Sequence, residues 1–195
     1  MGSEAIRQRR GAIFATMLFF AVSCFVVIVY GLRIGGIDWA RSISNHVGLA
    51  VYSSILFAVA NTVVAVLIAR HVNRLCETHC FSKVWLVLAA AIVLSLLIVS
   101  YFPFTGEGVW NSVIHRAATW TMFGMMVLFT MVTLLSIRTR FLMVAGGTFA
   151  VYGIVCLLLV VFFTTFFWNH ILVIESSFIL LAFLFILSIP VISKI

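Results

Sequence analysis

Residues 171–191 read ILVIESSFILLAFLFILSIPV, and this stretch decides the fold. It is long and apolar enough to cross a membrane, since a spanning helix needs about 20 mostly apolar residues. Its one ionisable side chain is Glu175, which has isoleucine, leucine and valine residues before it and the run Phe178–Leu181 after it. Intramembrane carboxyl groups usually face the interior of a helix bundle and pair with another group. The stretch therefore predicts a membrane span whose carboxyl group has a structural or functional partner.

The rest of the chain has the same apolar character. Of its 195 residues, 65% are hydrophobic and only 9% are charged, and the mean hydropathy is +1.28. Soluble domains carry about 25% charged residues, so we expect one integral membrane domain over residues 1–195 and no separate soluble domain. The net charge of +7 could suggest nucleic-acid binding, but the 12 basic residues are spread over the ends of the apolar segments. This spread indicates membrane topology, and nucleic acid is not an expected partner.

Polar breaks divide the chain into six apolar segments. They predict spans at about 12–32, 47–69, 84–102, 113–136, 141–167 and 170–191. If the N-terminus is cytoplasmic, nine of the 12 basic residues lie on the inner side, namely Arg7, Arg9, Arg10, Arg70, Arg74, Lys83, Arg138, Arg140 and Lys194. The outer side then holds the remaining three, which are Arg33, Arg41 and Arg116. Because cytoplasmic loops are enriched in basic residues, the predicted fold is an all-α, six-transmembrane-helix bundle with both termini in the cytoplasm.

Polar side chains gather at the outer ends of these predicted spans. His46, His115 and His170 lie there, and Glu175 is about 7.5 Å inside the sixth span at a rise of 1.5 Å per residue. Helical spacing places Asn61 on the same face of the second span as His46. Such faces should turn into the bundle, because unsatisfied polar groups are costly in lipid. We therefore expect Glu175 to lie within hydrogen-bond reach of a residue from the second or fourth span.

Four functional interpretations of these residues stay open. In the first, the histidines are interfacial caps and Glu175 is a structural hydrogen-bond partner. In the second, a polar pocket open to the outside binds a lipid or another amphiphile, and Glu175 and His115 fix its head group. In the third, three histidines, His46, His115 and His170, hold a zinc ion for hydrolysis, although no two of them have the short i, i+4 spacing. In the fourth, Glu175 carries protons in a proton-coupled transporter.

Three groups of residues resemble one known family. The first is Ile43-Ser44-Asn45-His46-Val47-Gly48 with Phe57 and Asn61, the second is Phe102-Pro103 with His115-Arg116-Ala117-Ala118, and the third is Glu175. In this order they resemble motifs at the second, fourth and last spans of the damage-regulated autophagy modulator superfamily. That superfamily includes membrane proteins linked to the remodelling of GPI-anchor lipids and many bacterial six-span relatives. Ser176 stands where the family commonly has tryptophan, which favours a bacterial relative in the cytoplasmic membrane.

The resemblance implies a connection to lipid handling and does not imply a known reaction. It also joins Asn61, His115 and Glu175 into one matched set. Our leading expectation is a non-enzymatic protein that associates with membrane lipid or another amphiphile and needs no cofactor. The expected ligand-binding residues are His46, Asn61, His115 and Glu175. The zinc hydrolase and the proton-coupled transporter are the alternatives.

Overall fold

The structure, a computed structural model, describes residues 3–47, 51–79, 83–102, 109–136 and 140–189. Within these ranges the chain forms helices and no strand. In chain order the helices are α1 (Ser3–Ile34), α2 (Ile43–Val47), α3 (Val51–His79), α4 (Lys83–Tyr101), α5 (Val109–Ser136), α6 (Arg140–Phe162), α7 (Thr164–Asn169) and α8 (Ile171–Ser188). The prediction of an all-α fold is confirmed.

Five of these helices are long and apolar enough to cross a membrane. Their spanning segments are Ile13–Leu32 in α1, Val51–Glu77 in α3, Lys83–Tyr101 in α4, Ser112–Ser136 in α5 and Leu142–Phe162 in α6. The apolar part of α8 that the structure describes is shorter, at Ile171–Ile186. The end of the predicted last span, 190–191, lies outside the described residues. The chain is therefore a multi-pass integral membrane protein, as its composition predicts.

The six longer helices pack side by side in chain order and close into a bundle. Helix α1 packs against α3, α3 against α4, α4 against α5, α5 against α6, and α6 against α8, while α8 also contacts α1. The short helix α2 lies at the end of the bundle where α1 ends and α8 begins, and it contacts α1, α3 and α8. We refer to this as the α2 end. Helix α8 is the element that completes the bundle.

Helix α1 ends in a glycine-dependent turn that sets up α2. Gly35 has a positive φ of 79°, and the N–H of Gly36 donates to the carbonyl of Gly31 at 2.9 Å. This is the Schellman arrangement, in which a residue in the left-handed region follows the last helical turn. Ser42 then caps α2, because its hydroxyl accepts from the N–H of Asn45 at 3.3 Å. The chain is thus turned back over the bundle and begins α2 against α8.

The fifth predicted span, 141–167, is interrupted before its expected end. Helix α6 ends at Phe162, and Phe163 leaves the helical region with φ −130° and ψ 47° before the short helix α7 begins. The hydroxyl of Thr164 donates to the carbonyl of Val160 at 2.8 Å, a local side-chain bond of the kind that competes with regular helix. The break redirects the chain through α7 into α8. The apolar composition of segment 141–167 does not predict this break in the helix.

Candidate functional site

Glu175 lies near the start of α8 and turns inward, with only 8% of its surface exposed. One of its carboxyl oxygens, Oε2, accepts a hydrogen bond from the main-chain N–H of Ile43 at 2.9 Å. Ile43 is the first residue of α2, and N–H groups in a first helical turn have no partner within their helix. The carboxyl group on α8 therefore caps the neighbouring helix α2. We expected a partner on the second or fourth span, and the donor instead belongs to the short helix ahead of α3.

Other contacts hold α2 and its preceding loop against α1 and α8. The carbonyl of Trp39 accepts from the N–H of Leu172 in the first turn of α8 at 3.3 Å. Arg41 pairs with Asp38 through a 2.8 Å hydrogen bond, and its guanidinium carbon lies 5.7 Å from the ring centre of Tyr30 on α1. The start of α8 is therefore tied to the α1–α2 connection at Trp39 as well as at Ile43.

His46 occupies the last turn of α2 and is 1% exposed. Its Nδ1–H donates to the carbonyl of Ser42 at 2.8 Å, and its ring meets the ring of Tyr30 edge to face at 5.1 Å. The other ring nitrogen, Nε2, is buried and has no hydrogen-bond partner among the described residues. Burial lowers the pKa of His46 from its ordinary value of 6.5, although the hydrogen bond to Ser42 acts in the opposite direction. The side chain is therefore a neutral packing element between α1 and α2.

Asn61 and His115 join neighbouring helices by hydrogen bonds. The amide of Asn61 donates from Nδ2 to the hydroxyl of Ser100 at 2.8 Å, which links α3 to α4. The imidazole of His115 donates from Nδ1 to the carbonyl of Phe102 at 2.7 Å, which links α5 to the end of α4. Both side chains are buried, and the Oδ1 atom of Asn61 has no hydrogen-bond partner within the part of the chain that the structure describes. Each of these residues holds a helix pair together.

A narrow cavity runs through the centre of the bundle. Its free volume is about 30 Å³, which is enough for about two water molecules. Its described lining comes from α1, α2, α3, α4, α5 and α8 and comprises Phe19, Ile43, Phe57, Ile68, Ile92, Val93, Leu96, Val99, Met122, Met126, Glu175, Ile179, Phe183 and Ile186. The lining extends eleven residues along α8, from Glu175 to Ile186, a length of about 16 Å. Within this described lining Glu175 is the only polar residue, and it lies at the α2 end.

The four predicted ligand residues differ in their relation to the central cavity. Glu175 lines it, whereas His46, Asn61 and His115 are not among its described lining residues. His46 contacts Ser42 ahead of α2, while Asn61 and His115 contact Ser100 and Phe102, which lie two residues apart at the end of α4. Of the four, Glu175 is the residue that contributes a polar group to the described lining of the cavity.

The three histidines considered for zinc also lie apart. His170 is exposed between α7 and α8, where Nδ1 donates to the carbonyl of Phe166 at 2.9 Å and the ring stacks on that of Phe166 at 4.3 Å. Among the described side chains, no group of three or more histidine, cysteine, aspartate or glutamate residues could hold a metal ion. A catalytic zinc site needs three protein ligands within about 2.0–2.3 Å of one ion. The arrangement of His46, His115 and His170 does not provide them.

Two features of the site had no counterpart in the sequence argument. The donor to Glu175 is a main-chain N–H, which every residue except proline carries, so no residue type marks it. The cavity is also lined by three phenylalanines, Phe19, Phe57 and Phe183, from three different helices. A sequence signal did exist for α2, because serine is a preferred N-cap residue and Ser42 stands directly before Ile43.

Comparisons of the chain with protein families, with curated proteins and with solved structures found no match. The cavity offers an apolar lining about 16 Å long and one carboxyl group at its α2 end. That combination suits a molecule with an apolar body and one polar group.

Proposed function

We propose that this protein is a non-enzymatic, amphiphile-binding protein of a bacterial cytoplasmic membrane and a relative of the damage-regulated autophagy modulator superfamily. It crosses the membrane six times, with α8 as the sixth span and both termini in the cytoplasm. The distribution of basic residues supports this orientation. The position of α8 supports its role as a span, because α8 packs between α1 and α6 and buries residues from Leu172 to Ile189.

One observation carries the functional part of the proposal, namely that Glu175 lies at one end of an otherwise apolar cavity. Small-molecule sites are mostly apolar and use a few polar groups to fix the orientation of the ligand. In this arrangement the tail of an amphiphile lies along α8 towards Ile186, and its polar group meets Glu175. His46, Asn61 and His115 shape the cavity indirectly, because they hold the helices around it.

The proposal is tested by measuring the amphiphiles that co-purify with the protein. Wild type, Glu175→Gln and Glu77→Gln are purified in a maltoside detergent, extracted with organic solvent and compared by quantitative mass spectrometry with the membranes they came from. Glu77 is a matched control, because it is an exposed carboxylate paired with Arg74. We expect one class of amphiphile to be enriched at close to one molecule per chain in wild type and Glu77→Gln, and several-fold less in Glu175→Gln.

A variant that blocks the cavity completes this design. Val99→Phe introduces a ring into the lining without changing the carboxyl group, and its folding is checked by size-exclusion chromatography and thermal melting. We expect it to lose the enriched amphiphile. If no class is enriched in the wild type, or if Val99→Phe retains the same enrichment, the cavity is not the binding site and the proposal is wrong.

The proton-coupled transporter is a second candidate that depends on the same carboxyl group. Glu175 favours it because a carboxyl group at a central cavity can gain or lose a proton when a ligand binds. Binding of the co-purified amphiphile to wild type in weakly buffered solution would then release or take up about one proton per chain, and Glu175→Gln would show none. If binding causes no proton exchange, the amphiphile-binding function still stands and the transporter hypothesis is wrong.

A further inference from the structure

We infer that the central cavity takes a lipophilic cation, that is, a single apolar chain that carries one quaternary ammonium group. The ammonium group lies beside Glu175 and the chain extends along α8 towards Ile186. This inference rests on the proposed function and narrows its ligand to one charge class. It is drawn from the charge, the polarity and the flexibility of the lining.

The charge of the lining favours a cation. Glu175 is the only ionisable side chain among the described lining residues. The ion pairs that the described residues form join Arg41 to Asp38 and Arg74 to Glu77, and neither involves Glu175. An ionised carboxylate without a counter-ion is costly in a low-dielectric interior, and a cationic ligand supplies that counter-ion. An anionic head group would meet the same carboxylate with repulsion.

The polarity of the lining favours a quaternary ammonium group over a primary one. A quaternary ammonium group has no N–H, and Glu175 is the only polar residue of the described lining that could accept one. Phe183 lies eight residues beyond Glu175, about 12 Å along α8, and Phe19 packs on Phe183 at 5.6 Å between ring centres. These rings therefore line the part of the cavity that takes the apolar chain.

The lining also contains side chains that can yield to a ligand. The free volume of about 30 Å³ is too small for an alkyl chain, so the cavity must widen when a chain enters. Met122 and Met126 lie one turn apart on α5, and both face the cavity. Methionine side chains are unbranched and flexible, and they repack readily around different ligands. Because the free volume along this lining of about 16 Å is so small, a single chain requires less widening than the two chains of a lipid.

Three probes with the same chain and different charge test the inference: decyltrimethylammonium, decanol and decanoate. Their binding to wild type, Glu175→Gln, Glu77→Gln and Val99→Phe is measured by isothermal titration calorimetry in maltoside micelles, with protein-free micelles subtracted. We expect wild type and Glu77→Gln to bind decyltrimethylammonium at one per chain, and at least tenfold more tightly than decanoate. In Glu175→Gln the affinity for the cation should fall at least tenfold, while decanol binds as it does to wild type and so shows that the cavity is intact.

The outcomes separate the inference from the proposed function. Equal affinity of Glu175→Gln and wild type for the cation, or tighter binding of decanoate than of the cation, overturns the inference. If decanol or decanoate in that case still binds wild type and fails to bind Val99→Phe, amphiphile binding in the cavity stands. Only the inferred positive charge of the ligand is then wrong. If all three probes behave identically with wild type and Val99→Phe, both the inference and the proposed function fail.

Discussion

Glu175 caps the start of α2, although a capping side chain normally comes from a residue next to the helix in sequence. Its carboxyl oxygen accepts from the first N–H of that helix, which has no acceptor of its own. A negative charge near a helix N-terminus is also favourable, because the N–H groups there carry partial positive charge. The same carboxyl group lines the cavity. A ligand at Glu175 therefore contacts the group that positions α2.

His46 provides a prediction at the scale of a single residue. Its folded-state pKa is lowered by burial, so below the ordinary pKa of 6.5 the unfolded chain binds more protons at this residue than the folded chain does. The contribution of His46 to stability is therefore present above that pH and is lost as the pH falls below it. Protonation would place an Nε2–H in a buried position that has no acceptor among the described residues.

The measurement is the melting temperature in detergent between pH 7.5 and pH 5.5. We expect the fall with decreasing pH to be smaller in His46→Asn than in wild type, because asparagine does not titrate and can still donate to the carbonyl of Ser42. His170→Asn, at an exposed position, is the control for a histidine-to-asparagine substitution elsewhere in the chain. Parallel curves for His46→Asn and wild type would show that His46 does not titrate differently in the folded protein.

The turn after α1 gives a prediction at the scale of an element. Gly35 adopts the left-handed region, which costs residues with a side chain about 1–2 kcal/mol. We expect Gly35→Ala to lower the melting temperature by about 2–4 °C for each kcal/mol lost. Gly36→Ala is the matched control, since Gly36 has neither a positive φ nor a neighbour within 4 Å of an added Cβ. An equal effect of both substitutions would contradict a role for the conformation of Gly35.

The long helices could be predicted from sequence because lipid imposes their length and composition. The predicted segments 84–102 and 113–136 correspond to α4 at Lys83–Tyr101 and α5 at Val109–Ser136. The short helices α2 and α7 escaped prediction, because elements of five and six residues depend on tertiary contacts more than on propensity.

Glu175 could be identified from the sequence, because a carboxyl group within a membrane segment is costly and therefore needs a partner. Its partner could not, since a main-chain N–H has no sequence signature.

At the scale of the whole molecule, the number of spans decides where the C-terminus lies. Six spans place it on the same side as the N-terminus, and five place it on the opposite side. We expect a fusion of green fluorescent protein after Ile195 to fluoresce in bacterial cells and a fusion of alkaline phosphatase there to be inactive, because both would be cytoplasmic. Alkaline phosphatase fused after Gly36, in the α1–α2 connection, should be active. An active phosphatase at the C-terminus would show that α8 does not cross the membrane.

The hydrogen bond between Glu175 and Ile43 spans 132 positions of the chain, and this separation has a consequence for biogenesis. The ribosome adds Ile43 long before it adds Glu175, so the first N–H of α2 has no acceptor on α8 until the last helix is made. Until then α1 and α6 also lack the helix that packs between them in the finished bundle. We therefore expect the docking of α2 to be among the last steps of assembly, and a chain cut short before Glu175 to leave the bundle open between α1 and α6.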